Sequence, residues 1–160
     1  MSRRPVGSIK SKMLVMAAVW AALSGALPAF GALGGDVASI EADRVRMQGT
    51  RRTMAAQTYS VHEIQAASGT VVREYASSDG KVFAVAFQGR WQPDMRQILG
   101  SYFDQYYRAV LAQGIRRGRR PVVIDEPGLS VRIGGHLGSF AGRAYVPEKL
   151  PSGVRAEDIQ

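Results

Sequence analysis

Between Pro93 and Gly114 the apolar side chains Met95, Ile98, Leu99, Tyr102, Phe103, Tyr106 and Val110 recur at three- and four-residue steps. That spacing places them on one face of a helix. Arg96, Gly100, Asp104 and Arg108 form the opposite row, where Asp104 and Arg108 are spaced as a favourable ion pair. Pro93-Asp94 starts the helix and Gly114 stops it. Phe103, on the buried stripe, is expected to cover a sheet through Phe83, Val85 or Phe87. A weaker helix is expected from Val37 to Gln48, capped by Asp36 and ended by Gly49, with Arg51-Arg52 opening a polar connection.

Strand patterns fill most of the rest. Thr58–Ala66 and Thr70–Ala76 are rich in Val, Ile, Thr and Tyr and are parted by Ala67-Ser68-Gly69. After Ser77-Ser78-Asp79-Gly80, a tight-turn sequence, Lys81–Gln88 alternates with both faces apolar, as a covered central strand does. Phe83, Val85 and Phe87 are expected on one face, and Val82, Ala84 and Ala86 on the other. The first of these strands carries His62 and Glu63 and reads as an outer, half-exposed one. Leu129–Ile133 and Ser139–Val146 form a further hairpin through Gly134-Gly135-His136-Leu137-Gly138, while Asp125-Glu126 before Pro127-Gly128 read as a turn. The tail, Pro147–Gln160, carries Pro151, Gly153 and the acidic pair Glu157-Asp158.

Runs of adjacent strands predict an α+β domain. Its antiparallel sheet has about five strands, a three-strand meander plus a hairpin. The long amphipathic helix packs on one face, with the weaker N-terminal helix beside it. No repeat of solenoid or propeller length is present.

The N-terminal segment changes the picture. Arg3, Arg4, Lys10 and Lys12 precede the apolar run Met13–Leu27, and Pro28 and then Ala29-Phe30-Gly31 follow it. This is the layout of a secretory signal peptide cleaved near Gly31 or Ala32. The expected division is a signal peptide over 1–31 and a single exported domain over 32–160. An uncleaved anchor is the other reading, although a spanning helix needs roughly 20 apolar residues and Ser24, Gly25, Pro28 and Gly31 interrupt this run. The Arg3-Arg4 pair resembles the twin-arginine route, but Pro5-Val6-Gly7 lacks its apolar pair, which favours general secretion to the periplasm or beyond. The chain's net charge is +8, and half of it lies in this segment. The basicity is therefore poor evidence for a nucleic-acid partner, and none is expected.

Composition removes several chemistries. There is no cysteine, hence no disulfide, thiol nucleophile or cysteine-based zinc site. Two histidines, His62 and His136, stand far apart, so neither a metal nor a cofactor is expected. Phosphate-loop, dinucleotide, zincin and nucleophile-elbow motifs are absent.

Three features invite a functional reading. Gly134, Gly135, His136 and Ser139 could form a ligand-binding turn, in which glycines admit a close backbone approach and the imidazole moves a proton; a plain hairpin turn accounts for the same residues. His62 and Glu63, adjacent in a strand, face opposite sides and cannot act together. Arg116, Arg117, Arg119 and Arg120 form a basic loop that could grip phosphates or lipid head groups, or simply be solvated beside the negative end of the preceding helix.

The segments Gly69–Tyr75, Val82–Ala86, Pro93–Phe103, Gly134-Gly135-His136, Ser139-Phe140, Gly142–Tyr145 and Leu150-Pro151 together resemble an uncharacterised family of small exported bacterial proteins. It is the domain of unknown function numbered twenty-eight forty-four, and the likeness runs from about Leu33 to Ile159. The Arg116–Arg120 run, and Phe87 where Trp is expected, depart from the pattern. The resemblance implies export and one compact domain and supplies no catalytic residue. The expected function is a non-catalytic binding or interaction module of the cell envelope, with an unidentified envelope partner. Membrane contact is expected only through the signal segment if it is retained. The alternatives are a polyanion binder using the Arg loop and a hydrolase-type enzyme using His136 or His62.

Overall fold

A computed structural model describes residues 33–114 and 121–160. The expected signal peptide over 1–31, the cleavage site expected with it and the Arg116–Arg120 run lie outside the described residues. The chain forms a seven-stranded antiparallel sheet, ordered β1-β2-β3-β4-β7-β6-β5. Its strands are β1 (Thr50–Ala55), β2 (Tyr59–Gln65), β3 (Val71–Ser77), β4 (Val82–Gly89), β5 (Val122–Glu126), β6 (Leu129–His136) and β7 (Ser139–Tyr145). Two antiparallel meanders, β1–β4 and β5–β7, are joined where β7 pairs with β4. The α+β class is as expected; the strand count is not, because β1 and β5 escape the hydrophobic pattern. Every residue of β1 is exposed, including Arg51 and Arg52, so no alternation marks it. Asp125 and Glu126 belong to β5 and not to the turn, which Pro127 and Gly128 make, with Gly128 at φ 78°.

Helices α1 (Ile40–Arg46), α2 (Met95–Leu99) and α3 (Phe103–Ala112) share one face of the sheet. A 3-10 turn at Val37–Ser39 leads into α1. Asp36 does not cap it; its carboxylate instead accepts from Lys81 Nζ at 2.6 Å. Asp94 does cap α2, accepting from the amides of Arg96 and Gln97. The long helix is broken. Gly100 takes φ 51°, a left-handed value that favours glycine, and a 3-10 turn over Gly100–Tyr102 separates α2 from α3. Asp104, in the first turn of α3, lies 4.0 Å from Arg96 Nη1 across this break.

The helix-side core contains Ile64, Val72, Val82, Val85, Phe87, Met95, Ile98, Leu99, Tyr106 and Val131. Phe103 lies at its edge, partly buried, stacked on Tyr107 with the Arg96 guanidinium 4.2 Å from its ring. Phe83 points the other way. Tyr75 pairs with Ala84 and Ala76 with Val82, which leaves Phe83 as an extra residue in a β-bulge. Beyond this bulge the alternation resets, so Val82, Val85 and Phe87 face the helices while Phe83, Ala84 and Ala86 face away.

On that second face the C-terminal tail folds back. Phe83 packs with Tyr59 and Tyr75, ring centres 6.0 and 6.2 Å away, in a cluster that includes Leu150, Val154 and Ile159. The Tyr75 hydroxyl donates to the Gln160 carbonyl at 2.8 Å and accepts from the Gln160 amide at 2.9 Å. Arg143 Nη1 donates to the Ala156 carbonyl at 2.7 Å. The tail reaches across only part of this face, and the uncovered part is concave.

Candidate functional site

Strand pairing decides which side chains share the uncovered surface. Arg132 pairs with Arg143, Gly134 with Ala141, and His136 with Ser139 across β6 and β7. Ala141 pairs in turn with Gln88 on β4, and Arg132 with Val123 on β5. Paired residues point to the same side of a sheet, so these side chains lie together on the face away from the helices. They surround a concavity of about 640 Å³, closed at one side by Ile159 and Gln160 of the tail and at another by Pro121. A second concavity of about 470 Å³ adjoins it through Gln88, Ser139 and Ala141 and adds Arg90.

The floor is shallow because its residues are small. A side chain at Gly134 would meet little, the nearest atom being Pro121 Cβ at 3.6 Å. Gly135 is different. At φ 124°, its backbone lies where a Cβ would come within 2.2 Å of the Ser139 carbonyl oxygen. Glycine is required there for the strands to close into their hairpin. The turn itself is Leu137-Gly138, so β6 runs on through Gly135 and His136.

All four residues of the proposed turn motif, Gly134, Gly135, His136 and Ser139, thus meet at the concavity. His136 is exposed, and its Nδ1 lies 3.1 Å from the Leu137 carbonyl oxygen. No Asp or Glu side chain lines either concavity among the described residues.

His62 stands elsewhere, and it is not half exposed. The edge strand β1 covers β2, leaving His62 and Glu63 buried. His62 Nδ1 lies 3.1 Å from Thr53 Oγ1 and its Nε2 lies 2.9 Å from Ser60 Oγ. Burial and then the charge of Arg51 hold its pKa below the usual imidazole value. Glu63 faces the tail side, opposite to His62, between Arg52 and Arg73, each 2.8 Å away. Burial opposes its ionisation, but hydrogen bonds from Arg52 and Arg73 outweigh that and keep its pKa low. The two neighbours therefore serve different faces, as strand geometry requires.

Sequence pattern missed a further polar centre. Asp43 on α1 and Glu74 on β3 are both fully buried on the helix face. The fold brings them together from positions with no spacing to betray them. Among groups of His, Asp and Glu in the described residues, none could hold a metal ion.

No curated protein and no solved structure matches the chain significantly. The family described as proteins of unknown function, DUF2844, matches residues 29–159, and the chain belongs to that family.

Proposed function

We propose that this protein is an exported, envelope-associated binding module without chemistry of its own, and that the concavity over β4, β7, β6 and β5 is its binding site. The observation that carries the reading is the uncovered floor of Gly134 and Ala141, ringed by Gln88, His136, Ser139 and Arg143. Small residues admit a ligand to the backbone while the polar ring fixes its orientation, as binding sites generally do. The surroundings of the histidines favour binding over hydrolysis. An imidazole that acts as a general base needs an orienting partner, and among the described residues His136 meets a backbone carbonyl and no carboxylate. His62 is occupied by two hydroxyls in a buried position. Export rests on the Arg3–Gly31 layout.

Two measurements test this. The exported product should have the intact mass of a chain beginning near Leu33 and should fractionate with the periplasm; a full-length mass in the membrane pellet would overturn the cleavage. Ala141→Trp places an indole in the concavity at an exposed strand position. It should abolish capture of envelope components by the purified protein without lowering its melting temperature. Equal capture by both proteins would remove the concavity as the binding site.

A further inference from the structure

Arg132 and Arg143 are direct cross-strand partners on the concave face. Like charges placed opposite one another weaken a sheet, so this pairing is unfavourable in the free protein. Arg143 cannot swing away, because Nη1 is held by the Ala156 carbonyl at 2.7 Å and the Ile159 carbonyl at 3.4 Å. Those carbonyls orient the guanidinium and leave its charge in place. Its other nitrogens make no hydrogen bond among the described residues and remain free to donate. Asp125 is the one carboxylate that contacts either guanidinium among the described residues, 3.4 Å from Arg132 Nη2. Both partners of that contact are more than half exposed, so solvent screens it and it offsets little.

The geometry points to an oxyanion site between Arg132 and Arg143, a deepening that rests on the binding reading above. The ligand group is a carboxylate or a phosphate carried on a polar, hydroxylated body. Arg132 and Arg143 present their guanidinium groups from adjacent strands on one face, and the forked donors of each match the paired oxygens of such a group. The body would lie over Gly134 and Ala141, where Gln88 and Ser139 supply an amide and a hydroxyl. Arg90, in the adjoining concavity, extends the positive surface in the direction a longer acidic chain would take. Bound anion turns an opposed like-charge pair into a bridged one, so occupancy should also stabilise the fold.

The test is a nuclear magnetic resonance titration of the purified, nitrogen-labelled protein at low ionic strength. Inorganic phosphate is the probe in one arm and galacturonate in the other. Saturable shifts at the Gly134 and Ala141 amides and at the Arg132 and Arg143 Nε–H signals are expected. Tighter binding in one arm identifies phosphate or carboxylate as the source. Arg132→Gln, at an exposed position that leaves the tail contacts intact, should weaken the response by about tenfold or more. Without anion the same variant should melt higher than the wild type, and the probe should raise its melting temperature less. Failure to saturate with either probe, or an unchanged response in Arg132→Gln, would overturn the site. A response lost only when Arg116, Arg117, Arg119 and Arg120 are changed to Ser would likewise overturn it. If Arg132→Gln still captures envelope components while Ala141→Trp does not, the anion site fails and the binding reading stands.

Discussion

Asp43 and Glu74, from α1 and β3, place their carboxyl groups together beneath the helices with no solvent exposure. Gln97 Nε2 donates to Asp43 Oδ1 at 2.8 Å, and Arg46 Nη1 lies 3.9 Å from the same oxygen. Asp43 Oδ2 and both Glu74 oxygens find no donor among the described residues. A proton shared between Glu74 and Asp43 would pair two of these three buried oxygens. Burial and then the neighbouring Asp43 charge push the Glu74 pKa well above its ordinary value. Asp43 is raised less because the Gln97 hydrogen bond and the Arg46 charge oppose its desolvation. Glu74 is therefore the protonated partner and donates to Asp43.

This pair makes stability depend on pH. Glu74 binds its proton more tightly folded than unfolded, so its contribution is complete below the ordinary glutamate value of 4.5. That contribution is lost as pH rises through the elevated folded value. His62, the cross-strand partner of Glu74, works in the opposite direction. Its lowered pKa gives stability that is present above 6.5 and lost on acidification. Arg51 on β1 also faces this cluster and favours the ionised form of Glu74. Glu74→Gln keeps a donor toward Asp43 and removes the titration. Its melting temperature should exceed that of the wild type by a few degrees at about pH 9 and match it at about pH 4. A difference that does not vary with pH would refute the shared proton.

The bulge at Phe83 predicts an asymmetry between two phenylalanines. Phe83 is fully buried against Tyr59 and Tyr75, whereas Phe103 lies at the rim of the helix-side core. Phe83→Ala should cost about 3–5 kcal/mol, and Phe103→Ala about 1–2 kcal/mol. Urea unfolding of both variants measures this, and the reverse order would place the wrong residue on the inner face.

Gly142 is set by packing rather than by backbone conformation. A Cβ there would stand 2.5 Å from the Phe87 ring and 3.0 Å from the Ile133 side chain. Gly142→Ala should destabilise by about 1–3 kcal/mol through overpacking. Phe87→Leu in the same chain should recover part of the loss, and an additive double mutant would show that the two do not collide.

Tyr75 fastens the tail. Tyr75→Phe removes both hydrogen bonds to Gln160 while keeping the ring contacts with Phe83. A cost of about 1–2 kcal/mol is expected, with faster amide exchange confined to residues 154–160. Unchanged exchange there would mean that Ile159, Arg143 and the Arg73 contact to Gln160 secure the tail without the Tyr75 hydroxyl.

Much of this fold is legible in one dimension, because hydrophobic period and turn chemistry are local. Strands β2, β3, β4, β6 and β7 carry apolar alternation or apolar runs bounded by glycine turns. Asp94 and Gly114 mark the ends of the α2–α3 segment by their own capping chemistry. Residues that depend on a distant partner left no such mark. Strand β1 is polar throughout and exists because β2 offers it a ladder. The bulge at Phe83 arises from pairing with β3 and inverts the face of that side chain. Of the candidate site, Gly134, Gly135, His136 and Ser139 stand out as a cluster, since a hairpin brings near neighbours together. Arg132 opposite Arg143 and Asp43 against Glu74 do not, since each pairing is set by register or by helix-on-sheet packing. Period records which way a side chain points; only the assembled sheet decides what it meets.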